Sequence, residues 1–409
     1  MKRAVLAALA LALPAAAGEG TRDDVPFAVA GPDGFGISSA DGASRIITHW
    51  LLQSDFRDFV GPRAPAPDRE TFILRFAGIR LDAVLERSFR AMLFANFAQN
   101  QVVLLEGWIE ARLVPWMRLR AGKFPYPISE ERLTPAIALP FVSASVSAML
   151  LPARDTGVQL LGSFADGVID WNLALTNGAV AGGAGDIVGD SGKDVVGRVF
   201  TRPFRNLGVE PLRQLGLGVG GSTGQHNGTP SNPRLLSLQT YGGQTFFSYS
   251  QTAAASGTVQ RVVPHLVWAH GPLSAYADAV WAREEINNLE VSSRAWSTIA
   301  TCVLTGEPAV PLGFVVPQKP LDLSSGHLGV VELVAGAGEV RIGSNAFPSL
   351  ANPLTAMQGM TVVGGGLNWY PSRGVALLIS YGHQVFSAAA SAPARADENT
   401  LIARLQLVL

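Results

Sequence analysis

Apolar and polar residues alternate singly along much of the chain, in stretches of about ten positions that end in turn-forming residues. In residues 167–175, for example, Ile169, Trp171, Leu173 and Leu175 fall on one face and Asp170 and Asn172 on the other. Such a segment is a strand with one oily and one wet face. Repeated around a closed sheet with the oily face outward, the pattern predicts a membrane-spanning barrel instead of a globule with a central core.

The joints between candidate strands sort by length. Segments 106–113 and 116–124 meet at Val114-Pro115, and the following connection, 125–152, is long. Segments 154–164 and 167–176 meet at Ala165-Asp166, where Asp166-Gly167 suits a hairpin, and 177–192 is long again. Segment 195–204 turns through 205–208 toward 214–222; 259–269 meets 273–284 at His270-Gly271-Pro272; 361–370 meets 375–384 across 371–374. Outer-membrane barrels place short turns on the periplasmic side and long loops outside, whereas a soluble sandwich has no reason to sort its connections in this way. Trp116, Trp171, Trp268, Trp281, Trp369 and Tyr370 mostly lie near predicted strand ends, where amphipathic rings suit the membrane boundary. The last segment, 400–409, sets Leu401, Ala403, Leu405, Leu407 and Leu409 on one face and Arg404 and Gln406 on the other, and is expected to close the sheet against a first strand within 45–56.

The ends and the composition narrow the class. Lys2 and Arg3 precede an apolar run, 4–13, and the triplet Ala15-Ala16-Ala17, which predicts a secretory signal peptide over 1–17 and a barrel domain over 18–409. The apolar run is too short to span about 30 Å of hydrocarbon as a helix. Segment 136–153 lacks charge, but Pro140 and Pro152 interrupt it and Ser143, Ser145 and Ser147 dilute it, so it reads as a loop with a short helix. Loss of Lys2 and Arg3 takes the formal charge from −1 to −3, unlike a nucleic-acid binder. Cys302 is the single cysteine, so no internal disulfide forms. His49, His226, His265, His270, His327 and His383 show no paired ligand spacing, and neither a metal nor a cofactor is expected. A barrel of about 16 strands, each of about 10 residues, leaves ample chain for turns, loops and a constriction.

Two motifs invite a catalytic reading. Gly220-Gly221-Ser222-Thr223-Gly224 matches G-x-S-x-G, with His226 nearby, but loop-like residues follow where a nucleophile elbow needs a helix. An outer-membrane esterase or phospholipase using Ser222 and His226 is therefore one alternative, and a soluble, exported β-sandwich binding protein is another. Residues 216–221 also satisfy G-x-G-x-x-G without an evident βαβ unit; small residues in a barrel strand more simply allow close packing or a bend.

Several stretches together resemble the phosphate-selective porin O and P family: Leu119-Arg120-Ala121-Gly122-Lys123-Phe124-Pro125, Arg154-Asp155-Thr156-Gly157-Val158-Gln159-Leu160 followed by Asn177-Gly178, Lys193-Asp194-Val195-Val196-Gly197-Arg198, and Gly216-Leu217-Gly218-Val219-Gly220. The resemblance runs from about Gly36 to the C-terminus and is weak around 285–325. It implies an all-β, transmembrane antiparallel barrel of 16 strands in a homotrimer, with an inward-folded constriction loop at 125–152 bearing Glu130, Glu131 and Arg132. It also implies an outer-membrane location, lipids and lipopolysaccharide as surroundings, and passive diffusion of small hydrophilic solutes without any reaction. Family members guide anions with lumenal basic residues. Here Arg118 and Arg120 share a face opposite Met117, Leu119 and Ala121, and Arg112 shares one with Glu110. With Arg132 they are the candidate pore-lining residues, and the mixed signs predict a mild anion preference without implying phosphate specificity. The chain departs from the usual pattern at Leu409, where such barrels commonly end in an aromatic residue.

Overall fold

The computed structural model describes residues 26–31, 34–61, 70–185, 191–389 and 395–409; the expected signal peptide lies outside them. A hairpin of β1 (Phe27–Gly31) and β2 (Gly34–Ser38) precedes β3 (Arg45–Phe59), β4 (Glu70–Leu85), β5 (Phe89–Asn96), β6 (Val103–Val114) and β7 (Met117–Pro125). After a long loop come β8 (Arg154–Phe164), β9 (Ile169–Thr176), β10 (Asp194–Thr201) and β11 (Gly216–Asn227), then a separate ribbon of β12 (Ser237–Gln239) and β13 (Thr245–Ser248). The wall is completed by β14 (Ala255–His270), β15 (Leu273–Ile286), β16 (Leu289–Val303), β17 (Val330–Arg341), β18 (Gly359–Ser372), β19 (Val375–Ser387) and β20 (Glu398–Val408). Sixteen strands, β3 to β11 and β14 to β20, pair antiparallel in sequence, and β20 returns to β3, so the sheet closes. Closure removes both sheet edges and satisfies the backbone without water, which makes the wall compatible with a bilayer.

Alternation decides which way each side chain points. Leu173, Leu175, Val195, Val199, Leu217 and Val219, on three consecutive strands, are 41–51% exposed and face outward. Between them Ala174, Val196, Arg198 and Gly220 face inward and are buried. An apolar patch of this continuity is unfavourable against water and favourable against lipid. Outward tryptophans lie at both rims. Trp268 and Trp369 each donate Nε1–H to a carbonyl of the short-turn end, Pro211 and Leu328 respectively, at 2.7 Å. Trp369 is level with Val331, and Trp296 with Glu339, eight residues further along β17. That is about 26 Å of strand, or about 20 Å of height at a tilt near 40°.

The seam between the first and last barrel strands is polar inside. Arg404 is the register partner of Asp55 and donates to it through Nε and Nη2, both at 2.7 Å, while Gln53 donates to Gln406 at 2.6 Å. The C-terminal Leu409 exchanges two backbone hydrogen bonds of 2.9 Å with Trp50. Inward packing fills much of the opposite half of the barrel, where Tyr126, Ile128 and Leu350 from loops and Phe246 and Phe247 of β13 meet Val263, Val280, Ala295 and Val340 of the wall.

The structure extends the sequence reading and corrects parts of it. A strand, β16, occupies the stretch where the resemblance was weak, and it follows a tight turn at Asn287-Asn288 whose φ values of 48° and 62° suit a type I′ hairpin. This short joint sits at the long-loop end. Conversely, connections 202–215 and 304–329, both at the short-turn end, are long. β10 stops at Thr201 because Arg202 and Pro203 begin that connection. Tyr370 is no girdle residue: it is 2% exposed and donates inward to Glu332 at 3.0 Å. Segment 136–153 is a loop with short 3₁₀ turns at Ala136–Ala138 and Ser147–Leu150, in keeping with the sequence reading, and an α-helical turn precedes it.

Candidate pore constriction

The chain between β7 and β8 leaves the wall and crosses the lumen. Its first turn, α1 (Glu130–Leu133), is capped by Ser129, whose Oγ accepts the Arg132 N–H at 3.2 Å. Gly220 supplies the space for this crossing, since a Cβ there would lie 1.9 Å from the Ile128 carbonyl oxygen. The loop is tied to the far wall at three points. Ser147 N–H donates to Ser297 Oγ at 3.0 Å, Asn368 Nδ2 to the Pro140 carbonyl at 2.9 Å, and Gln406 Nε2 to the Ile137 carbonyl at 3.2 Å. Glu131 is buried and accepts the N–H of Ser145 at 2.7 Å and also its hydroxyl.

The docked loop leaves a cavity of about 580 Å³ against β3 to β10. Arg118 and Arg120 line it. Both bind Glu110, Arg118 through Nη1 at 3.2 Å and Arg120 through Nε at 3.1 Å and Nη2 at 2.7 Å, and the Arg120 guanidinium lies 4.1 Å from the centre of the Trp108 ring. Glu110 is 2% exposed and Arg118 36%, so the acid lies behind and the cation faces the water. Arg112, the register partner of Arg118, is exposed in a smaller recess of about 190 Å³ at the short-turn end, beside Arg87 and Arg90. Arg132 borders the main cavity, yet its Nη2 donates to the Leu151 carbonyl at 2.7 Å and to that of Ala148. Burial lowers the Arg132 pKa, with the neighbouring Glu131 charge opposing it, and the two carbonyls tie this cation to the loop itself.

Two further arginines join this wall that alternation alone did not single out. Arg154 Nε binds Glu106 at 3.1 Å, and Arg198 pairs with Glu130 of α1. Glu130 also borders a second cavity of about 650 Å³ at the short-turn end, lined by Arg202, Arg205 and Arg213. Arg198 was legible in one respect, since it falls on the same face of β10 as Val196 and Phe200. Its partner on the loop was not.

Geometry dismantles both catalytic motifs. Ser222 and His226 lie in the middle and at the end of one strand, four residues and so about 13 Å apart. His226 Nε2 is instead 2.9 Å from Asp194 Oδ1. The glycines of 216–221 are packing vacancies: a Cβ at Gly216 would meet the Phe200 ring at 2.2 Å and one at Gly218 the His265 ring at 2.1 Å.

A sequence profile of the family described as phosphate-selective porin O and P matches residues 49–409. The chain belongs to that family. It is an outer-membrane porin, and its closed barrel with a loop across the lumen is the architecture of a water-filled channel. No curated protein sequence shows significant similarity to this porin. Among solved structures it is similar to the outer membrane channel DcaP of Acinetobacter baumannii (8% identity, TM-score 0.58, covering 90% of this chain and 98% of that one). It is also similar to the anion-selective porin from Comamonas acidovorans (10%, 0.53, 90% and 100%) and to the trimer form of OmpT from Vibrio cholerae (12%, 0.56, 90% and 100%). At these identities the likeness carries the fold.

Proposed function

We propose that this porin lets small hydrophilic solutes diffuse through each barrel with a mild preference for anions. One observation carries the reading. Six arginines border the main cavity (Arg80, Arg118, Arg120, Arg132, Arg154 and Arg198) against four acids (Glu106, Glu130, Glu131 and Asp170), while the partners of Arg80, Arg118 and Arg120, Asp82 and the buried Glu110, stand back from it. The excess is small, so the preference is mild. A dedicated inorganic phosphate site is disfavoured, because Arg120, Arg154 and Arg198 already hold carboxylates and an incoming phosphate has to displace them. Neither Ser222 nor His226 has a role in this reading. A homotrimer is part of the proposal, supported by the trimer form of a similar barrel, and cross-linking in detergent followed by mass determination tests it.

Reversal potentials across a planar bilayer under a potassium chloride gradient test the selectivity. Chloride is expected to be favoured, and replacing Arg118 and Arg120 together by glutamine is expected to lower the permeability ratio by about twofold per charge, the effect of roughly half a kcal/mol for each partly exposed cation. The difference should be larger at 0.01 M salt, where screening extends to about 30 Å, than at 1 M, where it extends to about 3 Å. A cation-preferring unmodified channel defeats the proposal.

A further inference from the structure

The main cavity is not polar throughout. On its β4 to β6 side Phe76, Met92, Phe94 and Trp108 line it, in positions where a barrel that carries only hydrated ions needs polar side chains. Their placement is built into the wall. Phe72 and Leu74 point to the outside, and strict alternation would send Phe76 with them, but β4 carries one extra residue, Arg75, between the pairs Ser54–Leu74 and Gln53–Phe76. That bulge turns Phe76 into the lumen. The next inward position is Gly78, where a Cβ would lie 2.2 Å from Phe76 Cε1, so the glycine lets the ring lie along the wall. Phe76 and Phe94 then meet with ring centres 5.4 Å apart, and Met92 and Trp108 are cross-strand partners beside them. Phe76, Met92 and Phe94 are half-buried and belong to none of the hydrophobic clusters among the described residues, whereas Trp108 packs against the largest of them.

This apolar strip runs directly into the cationic one. Trp108 carries the Arg120 guanidinium on its face, and Arg118, Arg120 and Arg154 continue the same cavity wall around β7 and β8. We propose that the constriction is a subsite for aromatic carboxylates, with the ring of the solute against Phe76 and Phe94 and its carboxylate toward Arg118 and Arg120. The idea rests on the anion-preferring reading above and names the substrate class of that same pathway. A hydrated inorganic anion gains nothing from the strip, whereas a flat ring gains contact area and a partner quadrupole. The affinity stays weak, as conduction requires, because the carboxylate has to share guanidiniums that Glu110 and Glu106 already hold.

The test uses the full porin in a planar bilayer carrying chloride current, with benzoate, acetate or neutral benzyl alcohol added to one side. Benzoate is expected to block at a concentration about tenfold lower than acetate, equivalent to about 1.4 kcal/mol, and benzyl alcohol to block less than benzoate. Phe94→Ala, and the milder Phe94→Leu, are expected to bring the benzoate and acetate values together within each variant, a ratio that needs no comparison of absolute conductance between proteins. Equal block by benzoate and acetate in the unmodified channel overturns the subsite, and so does a ratio that survives both substitutions. Block by benzyl alcohol as strong as by benzoate overturns the carboxylate's part in it. Reversal potentials in the same membranes separate the two readings: a cation-preferring channel removes the anion preference itself, while an anion-preferring channel indifferent to the ring removes only the aromatic subsite.

Discussion

Replacing Asp55 by alanine is expected to cost the barrel about 3 to 5 kcal/mol, because it strands the Arg404 guanidinium in the seam without its carboxylate. Both side chains are 6–7% exposed, the two hydrogen bonds are 2.7 Å each, and the pair bridges β3 and β20, whose pairing closes the sheet. Urea unfolding in lipid vesicles, followed by tryptophan fluorescence, reads the change. The cause is separable from general damage to the seam. Arg404→Leu in the same background removes the stranded charge and is expected to recover much of the loss, giving a favourable coupling in the double-mutant cycle. Equal and additive losses from the two substitutions refute the assignment. Gln53 and Gln406, one step nearer the C-terminal end of β20, are neutral and hydrogen-bonded to each other, so their loss is the smaller one.

How far the fold was legible follows from which strands separate oily from wet faces. β9 does so plainly, with Ile169, Leu173 and Leu175 outside and Asp170 and Asn172 inside. In β16 the inward Ser293, Ser297 and Thr301 are opposed by the outward Ser292, Thr298 and Ala300, so small and hydroxyl residues stand on both faces and the period loses its contrast. The connection after it, 304–329, is long although it lies at the end where outer-membrane barrels usually place short turns. Loop length depends on what a loop packs against, which no local pattern records.

The candidate site divides along the same line. Arg118 and Arg120 were readable because they share one strand face, but the turn lies at Pro115-Trp116, one residue later than the expected Val114-Pro115, and a one-residue bulge at Leu113 then places Glu110 opposite Arg120. The aromatic strip was not, since one bulged residue reverses the face on which Phe76 stands. Nor was the pairing of Arg198 with Glu130, whose positions are brought together only when the loop crosses the lumen. Arg132 lies in that same loop, where no period fixes the direction of a side chain, and its sequence-based role as a lumenal cation is the one the geometry supports least directly.

Arg132→Ala is accordingly expected to enlarge and destabilise the pore opening without a matching fall in anion preference. The guanidinium joins the start of the loop to its end, holding the carbonyls of Ala148 and Leu151 from α1. Hydrogen bonds from a charged donor contribute about 1.5 to 3 kcal/mol each, and loss of about 3 kcal/mol multiplies the population of undocked loop by more than a hundred. Single-channel recordings should therefore show higher mean conductance and more frequent transitions between levels. Arg132→Lys should fall between, since one ammonium carries the charge but lacks the planar fork that reaches two carbonyls together. The opposite pattern, unchanged conductance with anion preference reduced as much as in the Arg118 and Arg120 variants, means that Arg132 acts on passing solutes. The distinction matters for the whole pathway, because the ties at Ser147, Asn368 and Gln406 hold the middle of the loop, and Arg132 decides whether its two ends follow.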